Sequence, residues 1–458
     1  MADTVMTTKP LAGGLGRSTL LLCAAALFLS ACGNGRDAPL EGQRETLGGE
    51  VVAATSVDGV AALTGVQADA PALSLAAAQT NANWTHKGGS ATHRIAHPAL
   101  AATPAPLFST NIGAGNSRRA RITADPVVVG GVVYTLDARS TVAATRVDGT
   151  PAWSRDLTPL LENSGHASGG GLAFGNDTLF VTTGFGELLA LDPATGGELW
   201  VQDLDASGGA APTYFDGRVY VAARDSMAWV IDAESGRIEW QVSGTPSGSG
   251  LVGGPGAAVT DTLAIFPFPS GELVATFRQG GLRRWDAAIL GNRTGAAYAR
   301  ITDIAGDPVV AGNRVYAANQ GGRMVALDID SGARAWTANA GSYSPPLVAG
   351  GSVFIVSDQN ALMRLDASSG ATLWSVALPL YTQERERRKK EIFAHRGPVL
   401  AGGRLWVASS DDVVRGFDPR TGTQVASLAL PGGAASAPVV AGQTMYVVSA
   451  RGQLHAFR

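Results

Sequence analysis

Short apolar segments separated by turn residues repeat along most of the chain. Residues 300–336 show the unit clearly: apolar runs at 308–311, 314–318, 324–327 and 333–336 alternate with turns rich in Gly, Asn and Asp. Runs of this length joined by tight turns are typical of a four-stranded antiparallel meander. Both faces of such a meander are apolar, so we expect copies of the unit to stack on one another.

The copies share one ending, in which a turn with Asp and Gly precedes a large aromatic residue. The seven endings are Trp153, Trp200, Trp240, Trp285, Trp336, Trp374 and, with Ala in place of Trp, Ala426. Their spacing of about 40 to 50 residues belongs to β-propeller blades rather than to helical solenoids. We expect each aromatic ring to dock on the neighbouring blade.

The end of the chain lacks one strand, and an upstream segment can supply it. Three apolar runs follow Ala426, at 437–441, 444–449 and 453–457, and residues 107–112 form an unassigned strand in which Phe108 stands where Trp would fall. We therefore predict an all-β fold over residues 105–458, an eight-bladed β-propeller of four-stranded antiparallel blades closed by an N-terminal strand. Such closure leaves no open edge in the ring.

The first 104 residues carry the signals for export and attachment. Residues 1–31 have a basic start and an apolar run too short for a comfortable membrane span, and they are followed by Cys32. The ending Leu-Ser-Ala-Cys resembles the bacterial lipobox, which predicts a lipoprotein signal peptide and lipidation of Cys32; an ordinary secretory signal is the alternative. Residues 32–104, rich in Ala, Gly, Thr and Pro, are predicted to be a flexible tether. Trp84 suggests that residues 83–97 pack against the ring.

Composition argues against several kinds of chemistry. The formal net charge is −3 and no domain is strongly basic, which argues against nucleic-acid binding. The two cysteines are Cys23 and Cys32, so the mature ring would hold no disulfide or thiol nucleophile. His86, His93 and His97 fit no compact metal site, and a capping segment explains them better. We predict no catalytic residue, no metal and no cofactor, and attribute the repeated turn Asp residues to structure.

The repeat resembles that of the pyrroloquinoline-quinone-type propellers, a strand followed by D-x-x-[ST]-G-x-x-x-W. Residues 191–200, LDPATGGELW, and 327–336, LDIDSGARAW, carry the pattern. One family with this repeat, the quinoprotein dehydrogenases, holds a quinone and calcium on the propeller axis, and many members have an adjacent Cys pair that this ring lacks. A quinone-dependent dehydrogenase, or another periplasmic sensor propeller, is the alternative function.

A second family with the repeat is BamB, the lipoprotein of the outer-membrane β-barrel assembly machinery. The lipobox, tether, eight blades and closing strand resemble it, and residues 300–336 and 356–374 are similar to its central blades. The resemblance implies a non-catalytic scaffold that assists the assembly and insertion of outer-membrane proteins, lipid-anchored on the periplasmic face of the outer membrane. The implied partners are a BamA-like subunit with POTRA domains, the membrane, and unfolded outer-membrane proteins.

The same resemblance singles out two candidate partner-binding residues. One loop of that family carries two Asp residues, two apart, that help to dock BamA. Asp303 falls on the first position, Ala305 stands at the second, and Asp307 is the predicted substitute. A turn-capping role is the alternative for Asp303. A second docking loop of the family contains Arg, which residues 243–252 lack.

One charged insertion interrupts the repeat. Residues 381–393, YTQERERRKKEIF, hold five basic and three acidic residues. The spacings of Glu384 to Arg388 and Glu386 to Lys390 favour a solvated, salt-bridged helical loop. The alternative is contact with an acidic partner surface or anionic lipid.

Overall fold

The apolar runs of the repeat form β-strands, and four strands make each blade. The computed structural model describes residues 71–94, 96–206, 209–248, 253–291, 293, 301 and 303–458, all within a compact unit that spans residues 60–458. The predicted signal peptide and Cys32 lie outside the described residues. Strands β1 to β32 form eight antiparallel four-stranded sheets. The predicted eight-bladed propeller is confirmed.

Seven blades are built from four consecutive strands, and the eighth combines three C-terminal strands with β1. Blade one comprises β2 (Val127–Val129), β3 (Val132–Leu136), β4 (Thr141–Arg146) and β5 (Pro151–Asp156), and blade two comprises β6 (Gly170–Gly175), β7 (Thr178–Thr183), β8 (Glu187–Leu191) and β9 (Glu198–Asp203). Blade three comprises β10 (Thr213–Phe215), β11 (Arg218–Ala222), β12 (Met227–Asp232) and β13 (Ile238–Ser243), and blade four comprises β14 (Ala258–Val259), β15 (Leu263–Pro267), β16 (Glu272–Phe277) and β17 (Arg283–Ala288). Blade five comprises β18 (Val309–Ala311), β19 (Arg314–Asn319), β20 (Arg323–Asp328) and β21 (Arg334–Ala338), and blade six comprises β22 (Leu347–Ala349), β23 (Ser352–Val356), β24 (Ala361–Asp366) and β25 (Thr372–Ala377). Blade seven comprises β26 (His395–Ala401), β27 (Arg404–Ser409), β28 (Val413–Phe417) and β29 (Gln424–Ala429), and blade eight comprises β30 (Val439–Ala441), β31 (Thr444–Val448), β32 (Gln453–Phe457) and β1 (Pro106–Asn111).

Blade eight joins the two ends of the ring. β1 pairs antiparallel with β32, and Phe108 lies opposite Ala456 in the register. Pairing at this edge satisfies backbone groups that an open blade would expose. The predicted closing strand is therefore confirmed.

The recurring Trp is fixed by the turn of the next blade. The Trp153 indole N–H donates to the carbonyl of Pro193 at 2.9 Å. Gly196 follows in the same turn with a φ of +73°, and a Cβ there would lie 2.7 Å from the Trp153 ring. Gly is required on both counts, for the positive φ and for the close approach of the ring. The same packing joins Trp200 to Gly236, Trp240 to Gly281, Trp285 to Gly332, Trp336 to Gly370, Trp374 to Gly422, and Phe108 to Gly149.

The Asp of each such turn has a structural role. The Asp192 carboxylate accepts hydrogen bonds from the backbone N–H groups of Ala194 and Thr195 and from the Thr195 hydroxyl. The bonds from Thr195 hold the pKa of Asp192 below its ordinary value. Asp232, Asp328 and Asp366 make the equivalent bonds. The repeated Asp residues therefore build the turns, as their repetition predicts.

The apolar core lies between adjacent blades. Val127 and Tyr134 of blade one pack with Leu179 and Leu189 of blade two, for example. First strands of neighbouring blades also contact one another, as β6 does with β10, which places them innermost around the axis. Burial between sheets explains why a single blade cannot be stable alone.

Antiparallel order gives the ring two distinct faces. The turns that join first to second and third to fourth strands lie on what we call the turn face. The turns that join second to third strands, and the connections between blades, lie on what we call the loop face. In the part of the chain that the structure describes, no helix is long and apolar enough to cross a membrane.

The charged insertion differs from the predicted helical loop. Tyr381 and Ile392 form an isolated β-bridge, and helical geometry is limited to a single 3-10 turn at Glu386–Arg388. Backbone bonds from Thr382 to Glu391 and from Phe393 to Leu380 close the segment into a hairpin on the loop face. We call residues 381–392 the basic hairpin.

Candidate functional site

Residues 71–104 pack against the ring, across the inner ends of the blades on the turn face; we call them the plug. Trp84 exchanges two backbone hydrogen bonds with Val128, at 2.7 and 2.8 Å, and is 2% exposed. The expected packing of residues 83–97 on the ring is confirmed. The tether prediction covered residues 32–104, and the contacts of residues 71–104 leave only the earlier part as a proposed tether.

The plug bonds to all eight blades. Plug carbonyls accept hydrogen bonds from backbone N–H groups of blades two, four, five, seven and eight, which belong to Phe174, Val259, Val310, Gly402 and Gly442. In blade one, Val128 makes the backbone bonds to Trp84. Blade three bonds through His86 to Tyr214, and blade six through Arg364 to the carbonyl of Pro71. One segment thus ties all eight blades together, through the first strand or the turn that follows it in seven blades and through the third strand in blade six.

At the axis, Lys87 of the plug forms an ion pair with Asp307. The Lys87 ammonium lies 3.0 and 3.2 Å from the two carboxylate oxygens, and the Asp307 side chain is 0% exposed. The backbone N–H of Gly256 also donates to Asp307, at 2.5 Å. Burial by itself raises the pKa of Asp307, but Lys87, His93 and the Gly256 bond together hold it below the ordinary value.

Asp125 occupies in blade one the position that Asp307 occupies in blade five, immediately before the Pro that precedes the first strand. Its carboxylate accepts the backbone N–H of Ala437 at 2.8 Å and is half-buried. Burial raises the pKa of Asp125, with Lys87 and Arg396 opposing the rise. Two carboxylates and two basic groups therefore face one another across the axis.

The three plug histidines bind backbone groups. His86 bonds through Nε2 to Tyr214, and burial lowers the pKa of His86 to about 4. His93 bonds through Nδ1 to the carbonyl of Pro308 at 2.8 Å, and burial lowers its pKa too. His97 accepts the N–H of Gly403 at 2.8 Å. Among the described residues, no group of three His, Cys, Asp or Glu side chains could hold a metal.

Asp303 lies elsewhere, in the connection from β17 to β18 on the loop face. It is 3% exposed and lines a small cavity with Arg224, Pro255 and Pro267. Its neighbours at 292, 294–300 and 302, and residues 249–252 of the adjacent loop, lie outside the described residues. The structure thus separates the two candidate docking residues: Asp303 lies below the loop face and Asp307 at the axis.

Lys87 was not among the residues that the sequence pattern predicted to be functional. It is one of four Lys residues in the chain, with Lys9, Lys389 and Lys390. A lone Lys between a His and two Gly, in a segment that also holds a buried Trp, was the available signal. This signal could not identify the residue with which Lys87 forms its ion pair, because Asp307 is 220 residues away in the chain.

Eight four-stranded blades, seven of which pack a turn Gly on the Trp or Phe of the neighbouring blade, define a propeller of the pyrroloquinoline-quinone-type repeat. A family model described as outer membrane protein assembly factor BamB matches residues 138–376 and 379–458. The chain belongs to that family, which confirms the resemblance.

Individual relatives give the same family name. The outer membrane protein assembly factor BamB of Alteromonas naphthalenivorans is 26% identical over 224 residues, 46% of this chain and 54% of that protein. That of Yersinia pestis is 25% identical over 246 residues, 52% of this chain and 62% of that protein. The chain thus spans between half and two thirds of the length of these relatives.

Two solved structures share the fold. BamB from Moraxella catarrhalis superposes with a TM-score of 0.63 at 18% identity, covering 78% of this chain and 100% of that one. Quinohemoprotein alcohol dehydrogenase from Comamonas testosteroni superposes with a TM-score of 0.62 at 15% identity, covering 83% of this chain and 81% of that one. At such identities these similarities concern the fold alone.

Proposed function

We propose that this protein is a non-catalytic scaffold of an outer-membrane β-barrel assembly complex, which assists the assembly and insertion of outer-membrane proteins. The observation that carries the proposal is the family match over residues 138–376 and 379–458, which takes in the ring from the third strand of blade one onward. The loops of such a ring offer docking surface, and its strand edges suit β-augmentation.

The filled axis supports a non-catalytic role over the quinone-dependent alternative. The quinone of the dehydrogenases with this repeat lies on the propeller axis, where this chain has its own Lys87 and His93. A quinone on the axis would have to displace the plug and break the buried Lys87–Asp307 pair. Separating such a pair costs about 3–5 kcal/mol, which disfavours binding.

Anchoring and docking follow from the same family. We propose lipidation at Cys32 and a place on the periplasmic face of the outer membrane, with a BamA-like subunit as partner. Asp303, in the connection from β17 to β18, is the proposed docking residue, and because its side chain is only 3% exposed we propose that binding of the partner uncovers it. Asp307 has no exposed surface, so we propose that it affects docking through the plug and not by direct contact.

The decisive experiment is purification of the lipidated chain from the membranes of its own host in mild detergent. We expect a BamA-like subunit to co-purify, and we expect loss of the chain to lower the amounts of folded outer-membrane barrels. Normal barrel levels together with no co-purifying subunit would refute the proposal.

The alternative has a separate test with the same purified protein. Pyrroloquinoline quinone and calcium are added and the absorbance spectrum is recorded. We expect no saturable spectral change. Stoichiometric binding of the quinone together with turnover of an alcohol would show that the protein is a dehydrogenase and not a scaffold.

A further inference from the structure

An arc of basic side chains crosses the loop face from the connection between blades six and seven to blade one. It takes in the connection after β1, the second-to-third-strand turns of blades one and eight, and the basic hairpin. Its members are Arg118, Arg119, Arg121, Arg139, Arg385, Arg387, Arg388, Lys389, Lys390 and Arg451. All are exposed except Lys389, which is partly buried and lies over the Tyr381 ring.

Direct contacts make the arc continuous. At one end the connection after β1 bonds to two turns, since Asn116 donates to the carbonyl of Ala450 and Ala138 donates to that of Ala114. At the other end the base of the basic hairpin meets the turn of blade seven, where Ser410 donates to the carbonyl of Ala394.

The last link runs from blade seven to blade eight. A Cβ on Gly433 would touch Ser410, and one on Gly432 would touch the Arg451 side chain. The segments that carry the arc are therefore in contact from the basic hairpin through blades seven and eight to blade one, and the blade-seven turn between them carries Asp411 and Asp412.

The arc has more positive charge than its own acidic residues can balance. Arg118, Arg119, Arg121, Arg139 and Arg451 make no ion pair within the described part of the chain. The acidic residues of the same turns are Glu384, Glu386, Glu391, Asp411 and Asp412, and Asp411 forms a two-point pair with Arg415 outside the arc. Exposed like charges held together without partners cost stability, which favours a binding role.

The chemistry and position of the arc indicate its partner. Eight of its ten basic residues are Arg, whose planar guanidinium suits two-point binding of carboxylates. The described chain enters the ring on the turn face, where Ser74 packs against Gly350 and the carbonyl of Pro71 meets Arg364. The arc lies on the opposite face from this entry, so the entry of the chain does not by itself bring the arc to the membrane.

We propose that the basic arc docks a protein partner through a surface rich in Asp and Glu. The arc is separate from Asp303. Its arginines near the junction of blades eight and one lie across the ring from the connection between blades four and five, and the basic hairpin, between blades six and seven, is two blades away from it. The proposal does not require the partner to be a BamA-like subunit, so its test is independent of the test of the proposed function.

Matched variants of the full lipidated chain in detergent test the proposal. The arc variant carries Arg118→Gln, Arg119→Gln and Arg451→Gln, and a hairpin variant carries Arg385→Gln, Arg387→Gln and Arg388→Gln. The control carries Arg146→Gln, Arg237→Gln and Arg420→Gln, three exposed arginines of the turn face. The probe is a fluorescent octa-glutamate peptide, with octa-glutamine for comparison, and its anisotropy is titrated at about 50 and about 200 mM NaCl.

We expect the native chain and the control to bind octa-glutamate with equal affinity and to lose affinity with salt. The arc variant should bind on the order of tenfold more weakly, and the hairpin variant should also weaken, because each loses three charges at the contact. Equal affinity of all four proteins would overturn the proposal. So would binding to phosphatidylglycerol vesicles, measured without detergent, that exceeds binding to phosphatidylcholine vesicles and falls in the arc variant while the peptide does not bind; that result would make the membrane the partner of the arc.

Discussion

The two faces of this ring are built on one repeat, yet one consists of regular turns and the other of connections that vary from blade to blade. On the turn face, regular turns are locked by Asp and Gly, and the plug bonds to every blade at the centre. On the loop face, the connections differ from blade to blade and carry the basic hairpin, Asp303 and the arc. Regular positions therefore hold the ring together, and the irregular connections are where function can vary.

The axial carboxylates give the same contrast at the scale of one residue. Asp125 and Asp307 occupy equivalent positions, yet the pKa of Asp125 is raised and that of Asp307 is lowered. The difference follows from Lys87, which contacts Asp307 directly. A buried carboxylate with an ammonium at hydrogen-bond distance is kept ionised and depends on that partner, whereas the ionised form of one without it is held at a cost.

Breaking that pair should have the largest effect. Lys87→Met leaves the Asp307 carboxylate buried without its cation, and we expect it to lower the free energy of unfolding by about 3–5 kcal/mol. Urea unfolding followed by Trp fluorescence measures the loss. Lys87→Met combined with Asp307→Asn should recover most of it, because the amide oxygen still accepts the Gly256 N–H.

The matched control for this pair is Asp125→Asn. Since burial disfavours the ionised form of Asp125, we expect this change to be neutral or stabilising, with the bond from Ala437 kept. Equal losses for Asp125→Asn and Asp307→Asn would contradict the account of the axis.

The next effect is a loss of stability on mild acidification. The folded-state pKa of His86 is about 4, below its ordinary value of about 6.5. Its contribution is therefore fully present above about pH 6.5 and is lost as the pH falls toward 4, because the unfolded chain binds the proton first. Between pH 6.5 and 5 the loss should be about 2 kcal/mol, whereas the contribution of Asp307, with its lowered pKa, stays in place over that range.

Other buried histidines also titrate, so the His86 effect is isolated by comparison. Urea unfolding is measured at pH 7 and pH 5 for the native chain, for His86→Gln, and for His166→Gln, a change at an exposed histidine. We expect a shallower pH dependence for His86→Gln only. The same slope in all three proteins would show that His86 is not the group responsible.

Asp303 should have a smaller effect on the ring and a larger one on docking. Asp303→Asn keeps the size of the side chain, and we expect it to lower the free energy of unfolding by about 1 kcal/mol or less. The recovery of the co-purifying partner should fall, since a carboxylate that pairs with a partner cation is worth about 2–5 kcal/mol. Full partner recovery with lowered stability would assign Asp303 to turn capping.

The repeat predicted the propeller because the same turn and aromatic residues recur at the same positions in successive blades. Phe108 could be placed in the closing strand from the sequence, since its position matches that of Trp in the other endings. The ion pair of Lys87 with Asp307 could not be found in this way, because it occurs once and joins distant parts of the chain. The charge of the sequence identified the basic hairpin. The prediction that it forms a mainly helical loop was wrong, because backbone hydrogen bonds across its base close it into a hairpin.

The smallest effect on the ring is expected at the anchor. Cys32 lies outside the described residues, and Cys32→Ala should leave the urea unfolding curve of the ring unchanged, because Cys32 belongs to the proposed tether and the described contacts of the plug come from residues 71–104. The fractionation should change completely, from the membrane pellet after a carbonate wash to a soluble or uncleaved form, because the proposed lipidation of Cys32 would be lost. A Cys32→Ala chain that still pellets with the outer membrane would place the attachment elsewhere, with the loop face as the next region to test.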